Sequence, residues 1–538
     1  MGSGGKSLWA ANATFIVALG FFLAPAQAAD LRAPFRAPLV QPPPPVVQQR
    51  EATRLRVEPS DDGVFASPEE GFPLVRWTNS PTLVVLPDDS AFDVAEALIT
   101  PDRRALADAL DGWVGRAGDV ERRKQRKAIA AAYVRRGFQP LWRDGERWRV
   151  EAEAVMRRIG EADEDGLDLR AYPSPPLDHA SVAKEFELSE AVVAYAAQAA
   201  GARIDPQRLS RLIGARPPLP EANAILSAVG AAGARAGDVL QDFNPPHAGY
   251  RALRTKLAEL RASRMADDDL RFAEARIAAA RDDRSPPGGR RHSALPLNRS
   301  TGHVEAEIIA NMERWRWLPR DLGNTRIEVN IPDFELSVVR DGAVAHRARV
   351  IVGKEKTPTP VFSDRMRFII VNPYWNVPPS ILNKEMLPKY GGNLAAIEQS
   401  GFQVTYRHGQ AFVRQRPGER NALGRIKFMF PNNFSVYLHD TPSRGLFAAA
   451  RRAFSHGCVR VDQPFRLAEV VLGPGSGWPE ERVRRLIGGS ERYINLAEPL
   501  PIHIEYFTAR VDESGRLQLR DDLYGYSARV RAALGLDG

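Results

Sequence analysis

One short pattern in the sequence is suited to nucleophilic chemistry: Ser455-His456-Gly457-Cys458, which holds the only cysteine among 538 residues. A single cysteine is often an inert, buried side chain, but a thiol near a base or a positive charge becomes a reactive thiolate near neutral pH. His456 lies two residues before the thiol and shares its face in an extended segment, whereas His439 must arrive from a separate segment. The spacing alone leaves both histidines open as the base.

Two neighbours of the cysteine fit a reactive loop. Gly457 lets the backbone approach a substrate closely or adopt a strained turn. Arg460, two residues past the thiol, favours a thiolate, binds a substrate carboxylate or forms a structural ion pair. The sequence does not choose among these three roles.

The elements expected to position this pattern are strands. Residues 326–331 alternate polar and apolar side chains, Phe334, Leu336 and Val338 continue the alternation, and Asp341-Gly342 is a hairpin turn before 344–352. Strand signals return at 434–438, which places His439 at a strand end. A domain rich in strands is therefore predicted from about residue 320.

An irregular stretch at 373–425 interrupts these strands. It contains Pro378-Pro379, Gly391-Gly392 and an amphipathic piece at 387–397. An insertion of this length inside a sheet domain is typical of a lid or a binding loop.

Ahead of the strands, residues 73–262 have apolar residues at helical spacing, which predicts a helical domain with an ordinary core. One predicted stripe consists of Tyr250, Leu253, Leu257 and Leu260. A second consists of Ala128, Ala131, Ala132 and Arg135.

The N-terminal residues resemble an export signal. Lys6, the apolar run 8–23 and Ala26-Gln27-Ala28 predict a signal peptide at 1–28, with a retained membrane anchor as the alternative. A proline-rich tether is predicted at 29–72 and a polar linker at 263–300. The net charge of +8 is compatible with an anionic polymer, a nucleic acid or a membrane surface, and export argues against nucleic acid.

His439, followed after 15 residues by Ser455-His456-Gly457-Cys458, resembles the active-site signature of the L,D-transpeptidases, the YkuD-type cysteine enzymes of bacterial cell-wall assembly. The segments NALGRIKF at 421–428, YLHDTP at 437–442 and NMERWRWLP at 311–319 resemble the large, scaffold-bearing branch called YcbB-like. Looser similarity extends to GFQPLW at 137–142 and DGL at 165–167.

The resemblance implies an α+β multidomain fold. Its parts are a helical scaffold domain (73–262), the polar linker (263–300), a β-rich YkuD-type catalytic domain (301–510) with a substrate-capping insertion (373–425), and a C-terminal extension (511–538). Members of this branch commonly carry a peptidoglycan-binding module before the catalytic domain. The linker is too short and too polar to be that module, so we expect it to be missing or reduced.

The resemblance also implies roles for single residues. Cys458 is the expected nucleophile, His439 the base or imidazolium partner, and the N–H groups of Gly457 and Cys458, with His456, the expected oxyanion donors. The residues expected to contact substrate are Ser455, Arg460, Tyr374, Trp375 and Asn376. Whether Asp440 orients the imidazole of His439 stays open.

The implied activity is peptidoglycan L,D-transpeptidation in the periplasm. Cys458 attacks the third residue of a donor stem tetrapeptide, D-alanine leaves, and an acceptor amine forms a 3→3 cross-link without a metal or organic cofactor. The implied partners are stem peptides and other cell-wall synthesis proteins, and a carbapenem is expected to acylate the thiol.

Three other functions stay open at this point. The first is an L,D-carboxypeptidase or an enzyme that attaches proteins to the wall, since both use the same nucleophile. The second is a zinc hydrolase with His439, His456 and Cys458 as ligands. The third is a non-catalytic wall scaffold.

Overall fold

The computed structural model describes residues 100–263 and 301–537, together with two short strands, β1 (Val75–Arg76) and β2 (Val84–Val85), which pair antiparallel. The predicted signal peptide and tether, and residues 264–300 of the predicted linker, lie outside the described residues. Within the described ranges, every helix is too short or too polar to cross a membrane.

A helical bundle occupies residues 100–263, which confirms the predicted helical part. Its helices are α1 (Pro101–Gly115), α2 (Val120–Arg135), α3 (Val150–Gly160), α4 (Val182–Ala199), α5 (Pro206–Leu209), α6 (Ala222–Gly230), α7 (Ala236–Gln241) and α8 (Ala248–Ser263), with a hairpin of β3 (Arg143–Asp144) and β4 (Arg147–Trp148) after α2. Four of these helices begin at a side chain that accepts a backbone N–H of the first turn: Thr100, Asp119, Ser181 and Asp205.

One of the two predicted stripes is confirmed. Tyr250, Leu253, Leu257 and Leu260 are buried, but they pack into the core of the strand domain and not into the core of the bundle. The stripe on α2 is wrong: Ala128 and Arg135 are exposed, because the larger side chains Ile129 and Tyr133 take the buried face together with Ala132. By packing, α8 therefore belongs with the second domain.

Asp165 forms the joint between the bundle and the second domain. Its side chain is fully buried and its Oδ2 accepts a hydrogen bond from Tyr195 Oη at 2.6 Å. Its backbone carbonyl accepts hydrogen bonds from Arg316 Nη2 at 2.5 Å and from Tyr250 Oη at 3.2 Å. The DGL segment at 165–167 is therefore structural and links the two domains.

The second domain begins with α9 (Thr301–Arg316) and continues in strands. The strands are β5 (Thr325–Asn330), β6 (Glu335–Arg340), β7 (Ala343–Gly353), β8 (Phe362–Val371), β9 (Trp375–Asn376), β10 (Phe402–Arg407), β11 (Gln410–Gln415), β12 (Ile426–Met429), β13 (Leu438–His439), β14 (Ala453–Ser455), β15 (Val459–Val461), β16 (Arg492–Glu505), β17 (Ala509–Val511) and β18 (Leu517–Leu519). The later helices are α10 (Leu394–Gln399), α11 (Pro464–Leu472), α12 (Glu480–Arg484) and α13 (Tyr526–Ala533).

The main sheet closes into a ring. In the described part of the chain, hydrogen bonds join β5, β6, β7, β15, β13, β12, β8 and β16 in this order, and β16 pairs with β5 again. The β13–β15 and β16–β5 pairs are parallel, the other pairs in the ring are antiparallel, and β14 is added beside β7. The inward-facing apolar side chains of all these ring strands belong to one buried core.

The first hairpins of this domain are confirmed, whereas a later strand is mostly wrong. Asp341 and Gly342 have φ of 50° and 80°, the turn conformation that a two-residue hairpin needs. Of the predicted strand 434–438, only the last residue lies in β13. Ser435 has φ of 56°, a left-handed conformation that interrupts an extended strand.

The insertion at 373–425 is a folded subdomain. The hairpin β10–β11 extends through β11 to β9, and helical segments lie at Pro379–Ile381, Leu382–Met386 and Leu387–Lys389. The segment Leu382–Met386 is a π-helix, a rare conformation that is frequent at functional sites. The insertion has its own small core of Val377, Leu382, Met386, Ile397 and Val413.

The C-terminal residues are part of the second domain and not an extension of it. Leu517, Tyr524 and Val530 lie in the same buried core as the ring strands. The hydroxyl of Tyr524 donates to the Gly353 carbonyl at 2.7 Å and accepts from the Thr359 N–H at 3.2 Å. The predicted boundary at 510/511 is therefore corrected, because these side chains complete the core.

Candidate active site

The loop between β14 and β15 carries the thiol and is held by its own serine. Ser455 Oγ accepts from the Gly457 N–H at 3.1 Å and donates to the Cys458 carbonyl at 2.5 Å. Ser455 is buried, so its hydroxyl shapes the loop and does not face a substrate. Gly457 has φ of 115°, which only glycine adopts without strain, although a Cβ would meet nothing closer than Pro358 O at 3.5 Å.

A support from a distant segment lies beneath this loop. Thr359 Oγ1 donates to the Gly457 carbonyl at 2.8 Å, and Thr357 Oγ1 donates to the Ser455 carbonyl at 3.1 Å. The sequence analysis missed both threonines. They lie about a hundred residues before the cysteine, and only the pairing of β7 with β14 and β15 brings them to it.

The backbone donors at the thiol differ from the prediction in one respect. The N–H of Gly457 already donates to Ser455 Oγ, so it is not free for an oxyanion. Among the hydrogen bonds of the described residues, none uses the N–H of Cys458. The N–H of Cys458 is therefore the backbone donor beside the thiol that is available to an oxyanion.

The thiol of Cys458 is partly exposed. Its Sγ lies 4.0 Å from the Ser435 carbonyl. Burial raises the pKa of the thiol above its ordinary value. The neighbouring Tyr437 and the positive charges of Lys427 and Arg460 lower the pKa again.

Three basic side chains form a row beside the thiol. Lys427 is opposite His439 across the β12–β13 pair, and His439 is opposite Arg460 across the β13–β15 pair. Their strand neighbours Ile426, Leu438 and Val459 point into the ring core. Because side chains alternate along a strand, the three basic residues lie on the outer face of the ring.

His439 is buried beside the thiol and is held by backbone groups. Its Nδ1 lies 2.5 Å from the Asp440 carbonyl. Burial and the charges of Arg460 and Lys427 lower the pKa of His439 to about 3, so the ring is neutral near neutral pH. Among the hydrogen bonds of the described residues, the thiol has one partner, the Ser435 carbonyl, and none joins it to His439.

Asp440 contacts His439 through its backbone and not through its carboxylate. It is the backbone carbonyl of Asp440 that orients His439. The buried carboxylate accepts from the Arg425 N–H at 2.9 Å and from Arg444 Nη2 at 2.7 Å. Gly424 passes so close to this carboxylate that a Cβ would collide with it. The NALGR segment at 421–425 therefore contacts the carboxylate of Asp440 and holds β13, the strand that carries His439, in place.

His456 points toward the insertion. Its Nε2 lies 2.8 Å from Oε1 of Glu385, in the π-helical segment Leu382–Met386. The two side chains are 35% and 51% exposed. This pair joins the loop of Cys458 to the insertion, and it leaves His439 as the histidine that neighbours Cys458 through strand pairing.

Arg460 has no acidic partner in the described part of the chain. Its Nε is buried without a hydrogen bond, burial lowers its pKa, and the attraction of Cys458 raises that pKa. Because buried charges are normally paired, such a cation is suited to an anion that the protein itself does not supply.

Three predicted substrate contacts lie at the entrance of the insertion. The Tyr374 N–H donates to Glu491 Oε1 at 2.9 Å, and Trp375 packs beside Phe402 in the core of the insertion. Asn376 is exposed on β9. Among the described residues, no hydrogen bond, ion pair or ring contact joins these three to the thiol. Nor does any group of three His, Cys, Asp or Glu side chains in those residues form a set that fits a metal ion.

Two protein-family models match parts of the chain. Residues 324–484 match the model described as the L,D-transpeptidase catalytic domain of the YkuD type. Residues 127–257 match a model described as a scaffold domain. The two matches fall on the strand ring with its insertion and on the helical bundle.

One sequence relative and several solved structures that resemble this chain are named L,D-transpeptidases. A putative L,D-transpeptidase of Haemophilus influenzae is 32% identical over 260 residues, which are 44% of this chain and 51% of that protein, so the chain spans about half the length of this relative. L,D-transpeptidase 3 from Mycobacterium tuberculosis, in complex with a faropenem-derived adduct, is 13% identical over 34% of this chain and 60% of that one, with a TM-score of 0.19. An L,D-transpeptidase from Mycobacterium smegmatis is 13% identical over 34% and 58%, with a TM-score of 0.18.

Proposed function

The chain carries an L,D-transpeptidase catalytic domain of the YkuD type together with a scaffold domain, and on this premise we propose that it is a peptidoglycan L,D-transpeptidase that forms 3→3 cross-links. The observation that carries the proposal is the position of Cys458. The only thiol of the chain lies, partly exposed, on a loop with a glycine at positive φ, beside a neutral histidine and two cations.

The first half of the proposed reaction is acyl transfer to sulfur. The Cys458 thiolate attacks the carbonyl carbon of the third residue of a donor tetrapeptide, and the Cys458 N–H donates to the oxyanion that forms. The C–N bond to the terminal D-alanine then breaks, His439 passes the proton that it took from the Cys458 thiol to the leaving amine, and a thioester remains. Arg460 is suited to hold the terminal carboxylate of the donor, because no acid of the described residues pairs with it.

The second half is transfer to an amine. The side-chain amine of a second stem attacks the thioester, a new amide bond forms, and the sulfur leaves as the thiolate. His439 is neutral near neutral pH and is in the form that accepts the proton of the attacking amine. Its pKa of about 3 in the free protein means that this transfer depends on the anionic groups that substrate brings to the site.

The insertion has a role in the choice between amine and water. A thioester is hydrolysed if water reaches it before the amine does. The Glu385–His456 pair connects the insertion to the loop of the nucleophile. We propose that the insertion covers the acyl donor, as in the capping subdomain that the sequence resembles.

The same nucleophile supports two other products. With water as the acceptor the enzyme is an L,D-carboxypeptidase, and with a protein amine it attaches proteins to the wall. A non-catalytic wall scaffold is the remaining alternative. We place the reaction in the periplasm, with stem peptides and other wall-synthesis proteins as partners, on the basis of the export signal in the sequence.

The test is product analysis after incubation with disaccharide-tetrapeptide, for the wild type and for Cys458→Ala. We expect free D-alanine and dimers joined between the third residues of two stems from the wild type, and neither product from the variant. Tripeptide without dimers identifies a carboxypeptidase. Binding of peptidoglycan without turnover by either protein identifies a scaffold.

A further inference from the structure

The peptide group between Gly457 and Cys458 is held on the side opposite to its N–H. Its carbonyl, on Gly457, accepts a hydrogen bond from Thr359 Oγ1 at 2.8 Å, whereas its N–H, on Cys458, makes no hydrogen bond with the described residues. In a trans peptide group the C=O and the N–H lie in one plane and point in opposite directions. The Thr359 hydroxyl therefore sets the direction in which the Cys458 N–H points.

The serine of the loop does not do this task. Ser455 Oγ accepts from the Gly457 N–H and donates to the Cys458 carbonyl, and these two groups belong to the preceding and the following peptide groups. Gly457 has φ of 115° and no side chain to restrict its rotation. Among the described residues, Thr359 is thus the hydrogen-bond partner that fixes the peptide group between Gly457 and Cys458.

The hydroxyl of Thr359 also strengthens the donor. It accepts from the Gly353 N–H at 2.9 Å and donates to the Gly457 carbonyl, roles that are fixed because a backbone N–H only donates and a carbonyl oxygen only accepts. Thr359 is fully buried. Hydrogen bonds that follow one another in the same sense polarise each other in such a site. The chain from Gly353 through Thr359 to Gly457 therefore makes the Cys458 N–H a stronger donor.

Tyr524, from the C-terminal part of the chain, fixes Thr359. Its hydroxyl accepts from the Thr359 N–H at 3.2 Å and donates to the Gly353 carbonyl at 2.7 Å. A Cβ on Gly353 would lie 2.1 Å from the Thr357 carbonyl oxygen and 2.8 Å from the Thr359 nitrogen. The segment 357–359 therefore packs directly against the end of β7, and one hydroxyl ties the two together.

The segment that carries Thr359 is also restricted along the chain. Pro358 and Pro360 flank Thr359, and a proline ring holds its own φ near −65°. Next to Pro360, the backbone of Val361 makes two hydrogen bonds with residues 212–214 of the scaffold, both at 2.8 Å. Thr359 is therefore a rigid support, held by the scaffold, by β7 and by the C-terminal residues.

We propose that Thr359 is a positioning residue for the oxyanion, because its hydroxyl aims and polarises the Cys458 N–H, and that Tyr524 acts through Thr359. The proposal rests on the proposed function in taking Cys458 as the nucleophile and its N–H as the oxyanion donor. It adds the residues that prepare this donor before any substrate binds, as a preorganised donor requires.

The test compares two reactions of one sulfur, and Cys458 is the only cysteine of the chain. In acylation by a carbapenem, the sulfur bonds to the lactam carbonyl carbon, an oxyanion forms, and the C–N bond then breaks while its nitrogen takes a proton. In alkylation by iodoacetamide, the sulfur bonds to a saturated carbon and iodide leaves without an oxyanion. A badly aimed oxyanion donor therefore slows acylation and leaves alkylation unchanged.

The variants are Thr359→Val, Thr359→Ser and Tyr524→Phe. Valine removes the hydroxyl at a similar side-chain shape, serine keeps it, and phenylalanine removes one oxygen. Tyr133→Phe is the matched control, because the Tyr133 hydroxyl is also buried and makes two hydrogen bonds, with Glu185 and Ser189 in the helical bundle. Intact mass over time measures the rates of both reactions.

Since removal of an oxyanion donor lowers the rate about 100- to 1000-fold, we expect Thr359→Val to slow acylation about 10- to 100-fold and Tyr524→Phe about three- to tenfold. The loss falls on the rate constant at saturating carbapenem and not on the concentration that gives half of this rate. Thr359→Ser and Tyr133→Phe are acylated near the wild-type rate. All four variants are alkylated near the wild-type rate.

Three results overturn the proposal. The first is acylation of Thr359→Val at the wild-type rate. The second is alkylation that falls together with acylation, because the loop is then distorted and the donor is not the cause. The third is Thr359→Ser as slow as Thr359→Val, because the hydroxyl is then not the group that acts. If Thr359→Val does not fold, Tyr524→Phe provides the same comparison of the two reactions.

The outcome is separable from that of the proposed function. A protein that shows the expected difference between acylation and alkylation, but forms no cross-linked products, keeps the role of Thr359 and loses the transpeptidase assignment. A protein that forms cross-links while Thr359→Val is acylated at the wild-type rate has the opposite result. A wild type that is alkylated but never acylated overturns both.

Discussion

His439 is the residue whose protonation differs most clearly from that of an exposed histidine. Burial, Arg460 and Lys427 lower its pKa to about 3, against about 6.5 for an unperturbed side chain. Between these two values an unfolded chain binds a proton that the folded chain does not bind. The contribution of His439 to stability is therefore complete above about pH 6.5 and is lost as the pH falls toward 3.

We expect His439→Asn to make the unfolding free energy less dependent on acid. Asparagine keeps a donor for the Asp440 carbonyl but binds no proton, so the slope of this free energy between about pH 6 and pH 4 falls by as much as about 1.4 kcal/mol per pH unit. Urea unfolding across this range measures the slope, with the exposed His179→Asn as control. Equal slopes for the wild type and His439→Asn contradict a buried neutral ring.

Single residues were predictable where a motif carried them. Cys458, Gly457 and His439 lie together as the pattern and its resemblance predicted, although Gly457 contributes its conformation and not a free N–H. Lys427 and Tyr437 stand in segments that carried the resemblance, but their contact depends on strand register, which no spacing in the sequence reveals.

At the level of elements, a short segment of the scaffold, residues 212–214, reaches the candidate active site. We call this segment the strap. The N–H of Gly214 donates to the Val361 carbonyl, and the N–H of Val361 donates to the Leu212 carbonyl, both at 2.8 Å. A Cβ on Gly214 would lie 2.9 Å from the ring of Phe434. Phe434 precedes Ser435, whose carbonyl lies 4.0 Å from the thiol, so the strap supports the segment that faces the sulfur.

We expect Gly214→Ala to push Phe434 aside and to slow acylation of Cys458 by a carbapenem about tenfold, with a loss of about 1–3 kcal/mol of stability from overpacking. The acylation rate is measured by intact mass over time, and the stability by urea unfolding. Gly118→Ala is the control, because a Cβ there meets nothing within 4 Å. If Gly214→Ala is acylated at the wild-type rate, the strap does not support the segment that faces the Cys458 sulfur.

The insertion gives a prediction about products. Glu385→Ala breaks the contact with His456, and a half-exposed pair of this kind contributes about 0.2–1 kcal/mol. We therefore expect the ratio of cross-linked dimer to hydrolysed tripeptide to fall about two- to fivefold, because water reaches the thioester more easily. The exposed Glu398→Ala on α10 is the matched control. If Glu385→Ala keeps the wild-type ratio, the pair does not hold the insertion over the acyl donor.

Elements were predictable where side chains alternate regularly. The strands β5 to β7 followed from period-two alternation and a two-residue turn. The segment before β13 looked like a strand by composition, but Ser435 in a left-handed conformation and hydrogen bonds from the Asn432 side chain fold it into a turn. The alternation of side chains does not predict such a conformation, because local hydrogen bonds of the Asn432 side chain fix it.

For the whole molecule, the two domains share contacts that a linear division of the sequence does not reveal. The stripe of α8 lies in the core of the ring, and Arg316 of α9 reaches the Asp165 carbonyl in the bundle. The C-terminal Tyr524 supports Gly353 and Thr359 beneath the nucleophile loop. Closure of the ring and these long-range contacts depend on topology, so the sequence predicted two domains but not their joint.

The central claim is that Cys458 forms a thioester with the donor stem. The most direct test is intact-protein mass spectrometry after brief incubation with disaccharide-tetrapeptide and quenching in acid. We predict a mass increase equal to that of the donor minus D-alanine, located on the peptide that contains Cys458 and absent from Cys458→Ala. Substrate turnover by Cys458→Ala, or an adduct on another residue of the wild type, would contradict this account.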